Sequence, residues 1–381
     1  MDRRRVVIVG ASGSIGRQAR EVVGRSDILE VVGLAVRSDT GTLLEAARET
    51  GCREVAIMDG GARDAFAAAG LPAGLTVHAE PAALLDAAQP DVVLNAAVGS
   101  AGLAWTLETV GRRLDLALAN KESLVAGGPV VARVIRESGA KVVPVDSEHS
   151  ALHQLLELNR NVRTLTITAS GGPFRGRPWA ELADVTVAAA LKHPNWAMGP
   201  KNTLDSATLV NKGLEMIEAR YLFDWPADDI EVAVQAQSVL HAAVTLTDGT
   251  LVATLSPPDM RRSISYALHH PDSVDIGLGP ARVADLGPLA FEPVPPDFPA
   301  VPLAREAVRL EDRGGTAAYN AANEVAVEAF LGGALGFTEI VEVIEAALDR
   351  LPAAPVTSVE EVLALDTQVR AIARERVGGV R

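Results

Sequence analysis

A single cysteine, Cys52, occurs in the 381-residue chain. One thiol builds neither an internal disulfide framework nor a cysteine-rich metal centre. That scarcity fits a reducing compartment, and it fits an alanine-rich composition equally well. Aromatic residues supply only 4% of the chain although hydrophobic residues make up 48%, so Ala, Val, Leu and Gly have to fill most of the interior. Basic residues are outnumbered, and a net charge of −14 argues against the broad basic face of a nonspecific nucleic-acid binder. It leaves room for a local positive pocket that takes an anion. No run of about 18 apolar residues is present, the length a membrane span requires. The basic opening Met1–Arg5 resembles the start of a signal peptide, but only Val6–Val9 follow before Gly10, too short an apolar run for export. A soluble cytoplasmic protein is expected, with neither nucleic acid nor membrane as partner.

The length exceeds one ordinary core and predicts two or three domains. Val6–Val9, Leu29–Val36, Glu54–Met58, Asp91–Ala97, Arg113–Ala119 and Lys141–Val145 read as short buried strands separated by Ala-rich helical stretches. Strands alternating with helices predict a doubly wound sheet. Val162–Ala169 alternates as a half-exposed strand does, and Ile230–Val234 and Ala242–Leu255 add strands, the last interrupted by the hairpin signal Asp248-Gly249. Residues 271–300 are rich in Pro and Gly and read as a surface linker; residues 301–381 carry helical patterns. The fold class expected is α/β. A Rossmann-like sheet over 1–145 binds a dinucleotide, and a central α+β catalytic domain spans 146–270. A linker, 271–300, leads to a helical C-terminal domain, 301–381.

Gly10-Ala11-Ser12-Gly13-Ser14-Ile15-Gly16 follows the first strand and enters a helix. Glycines at these positions let the backbone approach a pyrophosphate at the helix N-terminus. After the second strand stand Arg37 and Ser38; an arginine there suits the 2′-phosphate of NADPH. Asp39 keeps NAD open. Asn95–Gly99 and Asn120-Lys121-Glu122-Ser123 end later strands of the same sheet, where ligands of such sheets bind. A solvated loop ion pair is the other reading of Lys121 and Glu122.

Asp146 and Glu148 stand two apart after a strand, and in extended backbone they point to one side. Glu215 falls in a helix predicted over Ser206–Arg220, with Asp205 or Ser206 as its cap and Asn211 on the same face. Three carboxylates suit Mg²⁺ or Mn²⁺ rather than structural zinc, and Lys212 beside them suits an anionic substrate. The acids are equally readable as exposed loop groups. His149 is readable as a group behind the metal or as a structural histidine. Ser170-Gly171-Gly172 is either an anion-binding turn or an ordinary one. Residues 192–200, with Trp196 between Pro194 and Gly199, read as a mobile lid or as a surface loop packing its Trp inward.

Nine segments resemble, in order, the 1-deoxy-D-xylulose 5-phosphate reductoisomerase family. They are Gly-Ser-Ile-Gly at 13–16, Asn-Lys-Glu-Ser at 120–123, Asp-Ser-Glu-His-Ser at 146–150, Ala-Ser-Gly-Gly-Pro-Phe at 169–174 and His-Pro-Asn-Trp-Ala-Met-Gly at 193–199. Asp-Ser-Ala-Thr at 205–208, Asn-Lys-Gly-Leu-Glu at 211–215, Pro-Asp-Met-Arg at 258–261 and Asn-Ala-Ala-Asn-Glu at 320–324 complete them. The resemblance implies NADPH- and metal-dependent rearrangement and reduction of a small phosphorylated sugar, in isoprenoid biosynthesis, by a homodimer. It implies Asp146, Glu148 and Glu215 as ligands of Mg²⁺ or Mn²⁺. It implies Lys121, Ser147, Glu148, Ser170, His193, Trp196, Ser206, Asn211, Lys212 and Glu215 at the substrate, with Lys121, Glu148, His149 and Glu215 in catalysis. Ser12, Gly13, Ser14, Ile15, Arg37, Ser38, Asn120, Glu122 and Gly199 would meet NADPH. A plain dehydrogenase has no need of the three acids.

The chain departs from the family at four places. Val36 and Ser38 flank Arg37 where Gly and Asn are usual. Gln235 stands in place of a histidine near the active site, which leads to an expectation of altered activity or pH dependence. Pro200 replaces a common basic residue, and Ser256-Pro257 precedes Pro258 where a glycine is usual.

Overall fold

The computed structural model describes residues 3–192 and 199–379. The chain separates into two compact units: residues 1–120, 134–150 and 259–280 form one, and residues 121–133, 151–258 and 281–381 form the other.

The first unit is built on a seven-stranded parallel sheet. Its strands are β1 (Arg4–Val9), β2 (Leu29–Val36), β3 (Glu54–Ile57), β4 (Thr76–His78), β5 (Val92–Asn95), β6 (Asp115–Leu118) and β7 (Val142–Pro144), in the order β4-β3-β2-β1-β5-β6-β7. Alternate residues of β1 serve opposite faces. Val6 and Ile8 pack with Ala19 and Val22 of the Ser14–Gly24 helix, whereas Val7 and Val9 pack with Leu84, Leu85 and Trp105. Both faces are covered, so the strands read as unbroken apolar runs. Strand order reverses between β1 and β5, the topological switch point where ligands of open α/β sheets bind.

The Met260–His269 helix belongs to this unit and packs against the Ser14–Gly24 helix. The sequence pattern assigns these residues to the catalytic stretch 146–270 and marks no helix there. Asp259 caps it, its carboxylate accepting from Arg261 N at 3.0 Å. Ile264 and Leu268 are fully buried on one stripe, each contributing about 1.5–3 kcal/mol.

The second unit holds a mixed sheet. Strand β8 (Val162–Ala169) runs parallel to β9 (Ile230–Val234) and antiparallel to β10 (Leu240–Leu246), which forms a hairpin with β11 (Leu251–Leu255). Gly249, at φ +87°, closes that hairpin, as Asp248-Gly249 predicted. Two residues of the expected linker form β12 (Glu292–Pro293) on the edge beside β9, a position that tolerates proline. The helices Ala300–Arg309, Gly315–Leu331, Glu339–Asp349 and Val359–Gly379 share this unit with the sheet rather than standing apart. Phe337 knits them to the chain after β8, edge-to-face on Phe174 and Phe330 at 5.2 and 5.9 Å.

Candidate active site

The glycine loop follows β1. Gly10 has φ +78°, and a side chain there would run into the Ala96 carbonyl; one at Gly16 would run into Gly10 O. The backbone N–H groups of Gly10 and Ala11 both donate to Ala35 O, at 2.9 and 3.0 Å, which pins the loop to the end of β2. Gly13 starts the Ser14–Gly24 helix with no side-chain cap. The first-turn N–H groups of Ser14 and Ile15 therefore receive no side-chain cap from Gly13, and such helix starts favour anions. Arg37 and Ser38 lie exposed at the end of β2. Asp39 accepts from Thr42 N at 3.0 Å and caps the Thr40–Thr50 helix. One of its two carboxylate oxygens is engaged there.

Asn120 is buried and donates both amide protons to loop carbonyls, Ala97 O and Gly99 O, each at 2.9 Å. Asn95 donates to Gly102 O at 2.8 Å and to Thr106 Oγ1 at 3.0 Å. The two asparagines thus shape the 96–102 loop at the switch point. Asn120 serves this rim by ordering backbone.

Residues 146–149 lie at the C-terminal end of β7, but the geometry differs from the extended strand predicted. Ser147–Leu158 is a helix, and Asp146 caps it. Its backbone carbonyl accepts from Ser150 N at 2.8 Å, and its Oδ1 accepts from Glu148 N at 3.3 Å. The two acids therefore sit at a cap and in the first turn, where the helix dipole favours carboxylates. His149 is fully buried with Nδ1 3.0 Å from Asp146 Oδ1. It fixes the Asp146 carboxylate from behind. Ser147 Oγ donates to Glu148 Oε2 at 2.5 Å.

The second unit carries the basic groups. The single helix predicted over 206–220 is two helices, Pro200–Ala207 and Val210–Leu222, with Leu209 between them in the left-handed region at φ +62°. Thr208 Oγ1 turns back onto Leu204 O at 3.1 Å, which closes the first helix. Ser206 therefore ends one helix, while Asn211, Lys212 and Glu215 open the next. Gly171 and Gly172 are both left-handed, and a side chain at Gly172 would meet Ser206 O at 2.9 Å, so the Ser170–Gly172 turn lies on Ser206. Glu215 is buried. Its Oε1 accepts from Lys121 Nζ at 3.0 Å and from Asn211 Nδ2 at 2.5 Å, and its Oε2 from Lys212 Nζ at 2.5 Å. Lys121 also donates to Asn211 Oδ1 at 2.9 Å. Two ammonium groups on one buried carboxylate leave local positive charge in an acidic chain, a setting suited to a phosphate.

Behind this cluster runs a second, which sequence reading missed. Lys201 Nζ bridges Glu122 Oε1 at 2.9 Å and Asp205 Oδ2 at 2.8 Å, and Asp205 Oδ1 accepts from Asn323 Nδ2 at 2.9 Å. Burial pushes the Glu122 carboxyl up, but the charge and hydrogen bond of Lys201, with Lys121 nearby, outweigh it and hold the group below the usual range. Burial pulls the Lys201 ammonium down, and Asp205 and Glu122 outweigh that, raising it above the usual lysine range. The i,i+4 pair Lys201–Asp205 was the available signal. Gly199 caps the Pro200–Ala207 helix. His193 and Trp196, expected on the lid, lie outside the described residues.

Gln235 stands where the family has a histidine near the active site. It is fully buried at the end of β9; its Oε1 accepts from Val239 N at 2.8 Å and Leu240 N at 3.4 Å, and its amide donates to Gln237 Oε1. It holds the connection into β10. Gln235→Leu should therefore destabilise the fold by about 2–3 kcal/mol, the cost of stranding buried N–H groups. Equilibrium urea unfolding measures it, and a loss under about 0.5 kcal/mol would remove this role.

Sequence models described as 1-deoxy-D-xylulose 5-phosphate reductoisomerase match residues 6–128, and models of its C-terminal domains match 142–223 and 255–372. A relative of that name from Nocardia farcinica is 48% identical over 384 residues, covering 98% of this chain and 95% of its own. The chain belongs to the 1-deoxy-D-xylulose 5-phosphate reductoisomerase family. A second family member, from Anaeromyxobacter dehalogenans, is 46% identical over 98% of this chain and 97% of its own length. Among solved structures, the family enzyme from Zymomonas mobilis in complex with NADPH superposes with a TM-score of 0.89 at 36% identity, covering 99% of each chain. A family structure in complex with NADPH, fosmidomycin and magnesium has a TM-score of 0.89 at 32% identity, covering 98% of each chain. Among the described residues no helix is long and apolar enough to cross a membrane.

Proposed function

We propose that the chain converts 1-deoxy-D-xylulose 5-phosphate to 2-C-methyl-D-erythritol 4-phosphate with NADPH and a divalent cation. The observation that carries this reading is the Lys121–Asn211–Lys212 cluster on buried Glu215, within a chain whose family is established end to end.

The residues present fit both groups. Gly10 and Gly16 pack against backbone too closely for any side chain, and their turn leads into the uncapped N-terminus of the Ser14–Gly24 helix, which suits a pyrophosphate. Ser12, Gly13, Ser14 and Ile15 would line it, with Arg37 and Ser38 toward the 2′-phosphate and Glu122 and Gly199 toward the nicotinamide. Asp146, Glu148 and Glu215 offer only carboxylate oxygens, the donor set of Mg²⁺ or Mn²⁺. A cation held there would polarise the substrate ketone and bind its neighbouring hydroxyl.

The chain's own residues do the remaining work. Ser170, Ser206, Asn211 and Lys212 grip the phosphate through a glycine turn and a helix N-terminus. Lys121 sets an ammonium beside the oxygen that gains negative charge while the carbon skeleton rearranges. Ser147 orients the substrate's polar backbone, and His149 keeps Asp146 in one orientation. His193 and Trp196, by the resemblance, would contact the bound sugar. We assign the working form as a homodimer in the cytoplasm, a compartment that suits the reduced, buried Cys52.

The test mixes purified protein, Mn²⁺, NADPH and 1-deoxy-D-xylulose 5-phosphate and follows the nicotinamide absorbance. Oxidation that stops without metal is the result expected. Folded protein that binds NADPH without oxidising it would overturn the reading.

A further inference from the structure

We infer that Arg63 is a second phosphate-binding arm beside Arg37, and that it sets the preference for a 2′-phosphorylated nucleotide. The inference rests on the NADPH reading. A 2′-phosphate carries up to two negative charges. After β2 the chain offers one exposed guanidinium, Arg37, flanked by Val36 and Ser38. One exposed arginine is a weak discriminator in a chain of net charge −14.

The backbone brings a second one to the same rim. Val36 and Ile57 are register partners at the C-terminal ends of β2 and β3. Beyond them the pairing continues, with Met58 N on Val36 O at 3.1 Å and Asp59 N on Arg37 O at 2.8 Å. Arg63, one turn into the Gly60–Ala68 helix, reaches back, and its Nη1 donates to Ile57 O at 3.0 Å. The guanidinium is thereby held at the level of Val36 and Ile57, next to the residue that carries Arg37. Gly60 adds no side chain beneath it; a Cβ there would stand 3.6 Å from Arg63 Nη2.

The charges of the rim are arranged to leave both arginines available. Its two acids cap helices: Asp39 accepts from Thr42 N at 3.0 Å, and Asp59 from Ala62 N at 2.8 Å. Among the described residues neither Arg37 nor Arg63 is paired with a carboxylate. Arg20 and Arg25, nearby in the same unit, are tied to Glu49 and Glu21. A planar guanidinium anchored through one N–H keeps others for a phosphate, in the fork geometry such anions take.

The test is calorimetric titration of the whole protein with 2′,5′-ADP and with 5′-AMP, which differ only in the 2′-phosphate. R63Q keeps an N–H for Ile57 O while removing the charge. For R63Q, 2′,5′-ADP should bind about tenfold more weakly, 5′-AMP should bind as before, and the salt dependence of 2′,5′-ADP binding should flatten. An unchanged ratio of the two affinities, or an equal loss for both, would overturn the role of Arg63. A wild-type protein that does not prefer 2′,5′-ADP over 5′-AMP would overturn the NADPH reading itself.

Discussion

Glu215→Gln should lower metal-dependent turnover by on the order of 10³ while NADPH affinity stays within about twofold. The amide matches the carboxylate in shape, so the Val210–Leu222 helix keeps its packing. What is lost is the negative charge that faces Lys121 Nζ at 3.0 Å and Lys212 Nζ at 2.5 Å. Without it two buried ammonium groups confront each other, and a hard cation loses one of its three anionic donors. Turnover measured across a Mn²⁺ series separates the two consequences. Recovery at high Mn²⁺ reports weakened metal affinity; persistent loss reports misplaced lysines. Wild-type turnover at ordinary Mn²⁺ would take Glu215 out of the ligand set.

Lys201→Met should cost about 3–5 kcal/mol, because it strands Glu122 and Asp205 as buried, uncompensated charges. Their side chains are 7% and 1% exposed, too little for water to replace the ammonium. Urea unfolding reads the loss. Adding Glu122→Gln should recover part of it, since removing a buried charge with its partner costs less than removing one alone. The acid limb moves as well. Glu122 is depressed in the folded protein, so its contribution is present above the ordinary glutamate value near ~4.3 and fades as pH falls through the folded value. Without Lys201 the carboxyl rises, and acid unfolding should set in at a higher pH. A variant as stable as wild type, with an unmoved acid limb, would show that the bridge contributes nothing.

Strands with a clear apolar stretch or alternation were legible in the sequence: β2, β8 and β9 begin and end where the residue pattern placed them. Three-residue β4 was not, because a half-exposed edge strand carries no run and no alternation. The Met260–His269 helix hid behind a ten-residue length and Pro-rich flanks. The resemblance proposed the site residues as a set, and three details of their setting were not legible. Asp39 was readable as a ribose acceptor, and its cap to Thr42 N was not foreseen. Asp146 and Glu148 looked extended because a strand precedes them, although Asp146 is itself a good helix cap. Lys201 showed its local partner Asp205, while Glu122 lies 79 residues away in sequence and only folding brings it there.

The joint at Thr208–Leu209 sets a rule about chain length rather than chemistry. On one continuous helix, Ser206 and Asn211 would sit five residues apart, about 7.5 Å along the axis and turned roughly 140° from each other. They could not face the same small anion. The left-handed Leu209 resets that rotation, so the proposed phosphate grip depends on the number of residues between the two helices more than on which residues they are. Leu209→Ala should be borne easily by the grip, whereas deleting one residue at 208–209 would rotate Asn211, Lys212 and Glu215 together by about 100° and dismantle the site without altering any group that composes it.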